Sequence, residues 1–424
     1  MTAWYLSDDT YKGGHTSTTN RSNLHSNKLT QVKINNNNMD IPPYEEFLKL
    51  IKLNLWVAGI PYGDPKIHFR FYFLYIQLQI MCALELIYFV SRISSENALE
   101  LSQLAPCLCV GALTVLKTAA FTQKRKTMHK LTECLSQLHQ NILKDDRKKH
   151  LVRKNLILLN MFIKYFLLLN LVLISVYNFS SLVIMTYHYF MKGEVAFPLP
   201  YPMYVPFDTD SWLPWTAVYI YSITSGFGCV LFYTIVDGLY FVLSSHLCGN
   251  FSIISDMITR LDVSSMDNLK EIIKDHQYTL KLAEDLEEIF TAPNLFNVLM
   301  GSLEICALGF NITIGTWGQT PACLLFLSSV LLQILMMSVF GENIIRESSK
   351  IGDAAFLCKW YDMDEKAKKI ILMIIVRAKK PARLTAYKFS VISYASFTKI
   401  ISTSWSYFTI LRTMYAPTDV NRAS

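Results

Sequence analysis

Seven long apolar stretches constrain this chain more than any other feature. They fall at residues 69–90, 102–121, 157–185, 214–240, 295–316, 321–341 and 387–415. A helix needs about 20 apolar residues to cross a hydrocarbon core about 30 Å thick. The pattern therefore predicts an all-α membrane protein with seven transmembrane helices. Several stretches exceed what a bilayer requires, so some helices are expected to continue into water. Composition agrees: 52% of the 424 residues are hydrophobic and only 17% are charged, against about 25% in soluble domains.

Lysine and arginine set the expected orientation. Of the 40 basic residues, 32 lie in the segment up to Arg70, in 122–156, in 241–294 or in 342–386. The opposite side holds Arg92, Lys192 and Arg422. The positive-inside rule then places the N-terminus in the cytosol, and seven crossings place the C-terminus outside. That is the reverse of a G-protein-coupled receptor, which argues against a metabotropic seven-helix receptor. The net charge of +7 needs no nucleic-acid partner, because the basic residues mark the cytoplasmic loops.

Residues 1–44 hold NNNN at 35–38 and many Ser and Thr without an apolar h-region. They read as a disordered cytosolic tail, not a signal peptide. The nine cysteines lack paired zinc-ligand spacing and read as small packing residues. No metal or cofactor is expected. With no HExxH, no Gly-rich phosphate loop, no nucleophile with a positioned base and no visible inverted repeat, the chain reads as neither an enzyme nor a transporter. GFG at 226–228 lies inside an apolar stretch and reads as packing.

Two cytoplasmic segments carry helical stripes. The first holds Phe251, Ile254, Met257, Ile258 and Leu261. The second holds Leu269, Ile273, His276, Leu280, Ala283, Leu286 and Phe290. These predict amphipathic helices that extend the spans and pack on each other and on neighbouring subunits. After Pro381, Thr385 is placed to cap a helix reaching Tyr415, about 46 Å over 31 residues. That helix carries Ser402, Ser406, Thr409 and Thr413 at spacing 4, 3, 4, a row of hydroxyls on one face. Such a row suits a water-filled path. It equally suits close helix packing with hydroxyls bonded to the preceding turn. Glu85, Lys164 and Glu304 lie within spans, and similar depth makes a Lys164–Glu304 ion pair an expectation.

The stretch from Gly341 to Tyr415 resembles the C-terminal region of insect odorant receptors. The resemblance is carried by Gly341, Ser348, Trp360, Lys380-Pro381, Phe397 and SWSYFTIL at 404–411. GIP at 59–61, LPYPMYVPFD at 199–208, VDGLYFVLSSHL at 236–247 and LEEIFTAPNLFNVLMGSLEIC at 286–306 agree with it, so it covers most of 45–415.

The resemblance implies a tetrameric, ligand-gated, non-selective cation channel, in which an odorant-binding subunit joins co-receptor subunits in a heterotetramer. It implies a plasma-membrane location in olfactory sensory neurons and a small volatile ligand. It divides the chain into spans one to four (45–240), anchor helices (241–294), spans five and six (295–341), a second anchor segment (342–386), a pore-lining seventh span (387–415) and an extracellular tail (416–424). Alignment on SYF puts the apolar gate at Ile410 and Met414, with Thr413, Thr409, Ser406 and Ser402 along the pore. The longer insertion of the co-receptor between spans four and five is missing, which implies the odorant-binding subunit. A pocket in the outer half of the bundle would draw on Ser175, Asn178, Phe179, Tyr219, Ser222, Ile223, Phe326 and Ser329. Gustatory receptors share the architecture, but their Thr-Tyr step and following Gln-Phe are replaced here by Ser406-Tyr407 without that Gln-Phe.

Overall fold

A computed structural model describes residues 41–60, 66–93, 98–193, 195–261, 266–314 and 320–415. Of the expected tail at 1–44, residues 1–40 lie outside them, while Tyr44 already begins a helix; the expected extracellular segment 416–424 also lies outside them. Ten α-helices and one short hairpin make up the described chain: α1 Tyr44–Val57, α2 Phe69–Ser91, α3 Ala98–Gln123, α4 Arg125–Leu143, α5 Asp146–Lys192, α6 Trp212–Thr259, α7 Met266–Ile314, α8 Thr320–Leu357, α9 Glu365–Ala378 and α10 Tyr394–Tyr415. Strands β1 Thr385–Ala386 and β2 Ser390–Val391 pair antiparallel before α10.

Among the described residues, six helices are long and apolar enough to cross a membrane: α2, α3, α5, α6, α7 and α8. The seventh expected span, α10, is absent from that set. Its hydroxyl residues, Lys399 and Arg412 dilute its hydropathy, yet 22 residues still reach about 33 Å. Helices α6, α7 and α8 run for 48, 49 and 38 residues. At 1.5 Å per residue these lengths are roughly double a hydrocarbon core. The continuation of spans past the membrane is therefore present in the structure.

Helix α6 is the central member. It is apolar all round and buried along most of its length, as a helix enclosed by others must be. It packs against α1, α2, α3, α5, α7 and α8. The two amphipathic stripes are also as expected. Phe251, Ile254 and Ile258 close one face of α6, with Leu261 buried just past its end, and Leu269, His276, Ala283, Leu286 and Phe290 close one face of α7, while Met257, Ile273 and Leu280 are half-buried. Their partners include two helices within this chain. One is α4, in a stretch (122–156) that the sequence reading leaves as a charged loop. The other is α1, whose Tyr44, Phe47, Leu48, Ile51 and Leu55 form a stripe at helical spacing. Gly238 of α6 leaves room for Ile51, since a Cβ there would sit 3.0 Å from its Cδ1.

Local signals explain the helix ends. Asp145 caps α5 by accepting from the Arg147 and Lys148 amides, and Gly193 ends it in the left-handed conformation at φ 71°. Asp364 caps α9 through the Ala367 amide at 3.0 Å. Thr385 does not cap the last helix. It opens the hairpin, where its hydroxyl donates to Glu287 of α7 at 2.8 Å and accepts from the Lys388 amide. Tyr387 and Lys388 both take positive φ to make the turn. Helix α10 is capped eight residues later, by Ser393 and Ser396 bonding each other's backbone amides.

The pairing expected between Lys164 and Glu304 does not form. Lys164 points outward and meets Glu46 of α1 at 3.3 Å. Glu304 is buried in α7, and its Oε1 has no hydrogen-bond partner among the described residues. Lys164 is drawn to α1, a helix the hydropathy pattern does not place, and Glu304 lies within electrostatic reach of Lys117 instead.

The junction of α1 with α4 and α6 is built on aromatic rings. Tyr44 and Phe47 stack edge-on against His246, and His139 lies 5.1 Å from His246. His139 Nε2 faces the Pro42 carbonyl at 3.2 Å. Burial pushes the His139 imidazole below its ordinary value, opposed by that carbonyl. The unfolded segment therefore takes up a proton first as pH falls through about 6.5. This contribution to stability is full above that pH and is lost below it. Hydrogen exchange of residues 44–57, corrected for intrinsic rates, should rise between neutral pH and about pH 5. A His139→Phe variant should flatten that dependence.

Candidate functional site: an apolar cavity and the exposed face of the last helix

A mostly apolar cavity of about 170 Å³ lies between α2, α3, α5, α6 and α8. Leu78, Met81, Val110, Leu173, Ile174, Val230, Phe326 and Val330 give it apolar walls, and Tyr177, Tyr201 and Tyr233 add aromatic rings. Volatile-sized molecules gain most of their affinity from burial in such a container.

Tyr201 reaches the cavity from the Pro-rich connection between α5 and α6. That connection is fastened to α2 where the Tyr204 amide donates to the Leu84 carbonyl at 3.2 Å. The Tyr201 hydroxyl donates to Asn178 Oδ1 at 2.7 Å. Both groups pack against Gly226, where a Cβ would lie 2.9 Å from that oxygen. The glycine of the GFG stretch thus serves packing, as its apolar setting implied.

Of the expected ligand-binding residues, Phe326 and Ser329 line the cavity. Asn178 is buried one layer behind it, holding Tyr201. Its carbonyl also accepts from the Tyr219 hydroxyl at 3.1 Å. Tyr219 and Ile223 belong to a neighbouring cluster with Trp215 and Met185. Ser222 is buried and spends its hydroxyl on the Val218 carbonyl. Ser175 bonds its own helix at Leu171, and Phe179 turns outward at 46% exposed. The sequence reading missed Tyr177, Tyr201 and Tyr233. Tyrosines at helical spacing in an apolar run carry no mark that separates a cavity wall from a lipid-facing surface.

Beneath the cavity lies a buried polar network that the sequence reading also missed. Lys117 of α3 pairs with Asp237 of α6 at 2.5 Å. Its Nζ sits 4.5 Å from the ring centre of the wall residue Tyr233. Gln333 of α8 donates to the other Asp237 oxygen at 2.8 Å and to Asn297 of α7 at 3.3 Å. Four helices are thereby joined through groups that lipid could not satisfy.

The last helix divides cleanly by face. Ile400, Ser404 and Phe408 are buried and Phe397 and Leu411 half-buried against α7 and α8. Ser404 donates to the Ser302 carbonyl at 3.0 Å. At 100° per residue, Ser402, Ser406, Thr409 and Thr413 fall on the opposite side, and all four are exposed. Ser406, Thr409 and Thr413 bond the preceding turn of their own helix. Ile410 and Met414 flank this row at 56% and 69% exposed.

A family model described as 7tm odorant receptor matches residues 97–405. The chain belongs to the insect odorant receptor family. The receptor is 28% identical over 384 residues to putative odorant receptor 92a of Drosophila melanogaster, covering 87% of this chain and 93% of that one. It is 25% identical over 352 residues to odorant receptor 67c of the same species, covering 81% and 87%. Its fold matches the olfactory receptor OR5 from Machilis hrabei in complex with eugenol, with a TM-score of 0.73, at 14% identity over 88% of this chain and all of that one. Members of the family are ligand-gated cation channels of the membrane and not enzymes.

Removing one member of the buried pair strands the other. Lys117→Met should lower the stability of the solubilised receptor by about 3–5 kcal/mol, read by thermal unfolding. Adding Asp237→Leu to that variant should recover most of the loss.

Proposed function

We propose that this chain is the odorant-binding subunit of a heterotetrameric, non-selective cation channel, completed by co-receptor subunits in the plasma membrane of olfactory sensory neurons. A small volatile ligand occupies the cavity bounded by Phe326, Ser329, Tyr177, Tyr201 and Tyr233. The N-terminus lies in the cytosol, α10 is the seventh span, and the C-terminus is extracellular.

One observation carries the reading. Phe326 and Val330 border the cavity and also belong to the cluster that holds Ile400 and Phe397 of α10. A ligand that presses on the α8 wall therefore presses on the seat of α10. The exposed side of α10 then faces its counterparts in the assembly. Its hydroxyl row borders water, and Ile410 and Met414 close the path as an apolar ring that dewets. Asn178 acts on the ligand through Tyr201, whose ring position it fixes. Tyr219, Ser222 and Ile223 act, on this reading, as the support of that layer, and Ser175 and Phe179, which do not line the cavity, would meet the ligand only on its way in.

The chain should be expressed with and without a family co-receptor and tested with a volatile panel by current recording. Currents should require the co-receptor and persist under G-protein block; currents abolished by the block would favour a metabotropic receptor instead. Ile410→Ala with Met414→Ala should raise agonist-free leak, as expected when an apolar constriction is opened. Unchanged leak and permeability would place the gate elsewhere. A tag on Ser424 should be reachable on intact cells, and a tag reached only after permeabilisation would reverse the orientation.

A further inference from the structure

Glu85 breaks the apolar character of the cavity wall. It stands on α2, six residues before the helix ends at Ser91. The residue is only 8% exposed, and it lines the cavity beside Gly111, where a Cβ would lie 3.8 Å from its Oε2. Among the described residues its carboxyl makes no hydrogen bond or ion pair. Lys117, the lysine buried in the same bundle, is committed to Asp237.

Several of the other polar groups on the wall are already engaged. The Tyr177 hydroxyl lies 3.0 Å from Cys107 Sγ, the Tyr201 hydroxyl donates to Asn178, and Ser225 accepts from Gln77 at 3.1 Å. Asn170 donates to the Phe166 carbonyl at 2.8 Å. Glu85 is thus a carboxyl held in an apolar container without a protein partner. Such a group is expensive to keep unless something else pairs with it.

The surrounding rings indicate what that partner is. Tyr177, Tyr201, Tyr233 and Phe326 line the same space. A carboxylate facing aromatic rings suits a cation that also donates hydrogen bonds, because the carboxylate supplies charge and acceptors while ring faces attract the cation. A hydrocarbon or an ether would leave the carboxyl unpaired. Size sets the second condition: a cavity of about 150 Å³ with apolar walls holds a benzene-sized molecule, so 170 Å³ takes one ring with a short tail.

We propose that this cavity selects small volatile amines, held as ammonium ions by Glu85 among the tyrosine rings. The inference rests on the odorant-binding reading of the cavity and narrows it to one ligand class. The test is calorimetric titration of the full chain in lipid nanodiscs at neutral pH, with 2-phenylethylamine, 2-phenylethanol, acetophenone and ethylbenzene. The amine should bind at least about tenfold more tightly than its neutral counterparts, the scale of one charge-assisted contact. Glu85→Gln should remove that advantage and leave 2-phenylethanol within about threefold of its wild-type affinity, since a neutral ligand forgoes the charge-assisted bond.

No amine binding, equal affinities in the wild type, or an amine preference unmoved by Glu85→Gln would each overturn the proposal. Tighter binding of the ketone would do the same and assign Glu85 as a protonated donor. If Glu85→Gln does not reach a folded state, the wild-type ratio of amine to alcohol decides alone. Current recordings separate the two levels. Amine binding without currents refutes the channel reading and leaves the ligand class standing, whereas currents to neutral volatiles with no amine preference do the reverse.

Discussion

Hydrocarbon offers no hydrogen bonds, and the rest of this structure depends on that fact. Every backbone amide within a span must be satisfied by its own helix. The same rule applies to the few side chains that could not stay apolar. Lys117, Asp237, Gln333 and Asn297 satisfy one another across α3, α6, α8 and α7, and so fix the rotation of four helices at one level. Helix α6 can lie in the middle because it is apolar along its length and the acid at its centre, Asp237, is given to that network.

Beside this polar layer the helices leave a cavity, and the connection between α5 and α6 lends it a wall residue. Tyr201 enters from that connection and is held by Asn178. On the α8 side, the cavity wall and the seat of α10 are one apolar cluster. A rigid, close-packed cluster transmits displacement, since its neighbours cannot absorb a change in volume without moving.

The residues that carry the family resemblance serve joints of the fold. Gly341 lets the Ile392 carbonyl approach the α8 backbone where any side chain would obstruct it. The Ser348 hydroxyl accepts from the Ala382 amide at 3.0 Å and so anchors the turn after Pro381. Phe397 packs into the cluster at the start of α10. Together these place the hairpin against α7 and aim the last helix. A pattern that survives as scattered single residues fits such work, because each joint needs one small or one bonding side chain and tolerates change around it.

Hydropathy and its period made much of the architecture legible in advance: six of the seven expected spans, the great length of α6 and α7, and the buried face that includes His276. These properties are local sums along the chain, so neighbouring elements do not alter them. The helices at 44–57 and 125–143 went unread because their apolar stripes are narrow and set among charges. Azimuth and partner were beyond the reach of such sums. Lys164 met Glu46 instead of Glu304, Thr385 began a hairpin instead of a helix, and Phe326 faced the cavity while Phe179 faced outward. Composition sets how deep a residue sits in the membrane. Which way it points at that depth is settled by the packing of helices distant in sequence, where a rotation of a third of a turn exchanges a cavity wall for a lipid-facing surface.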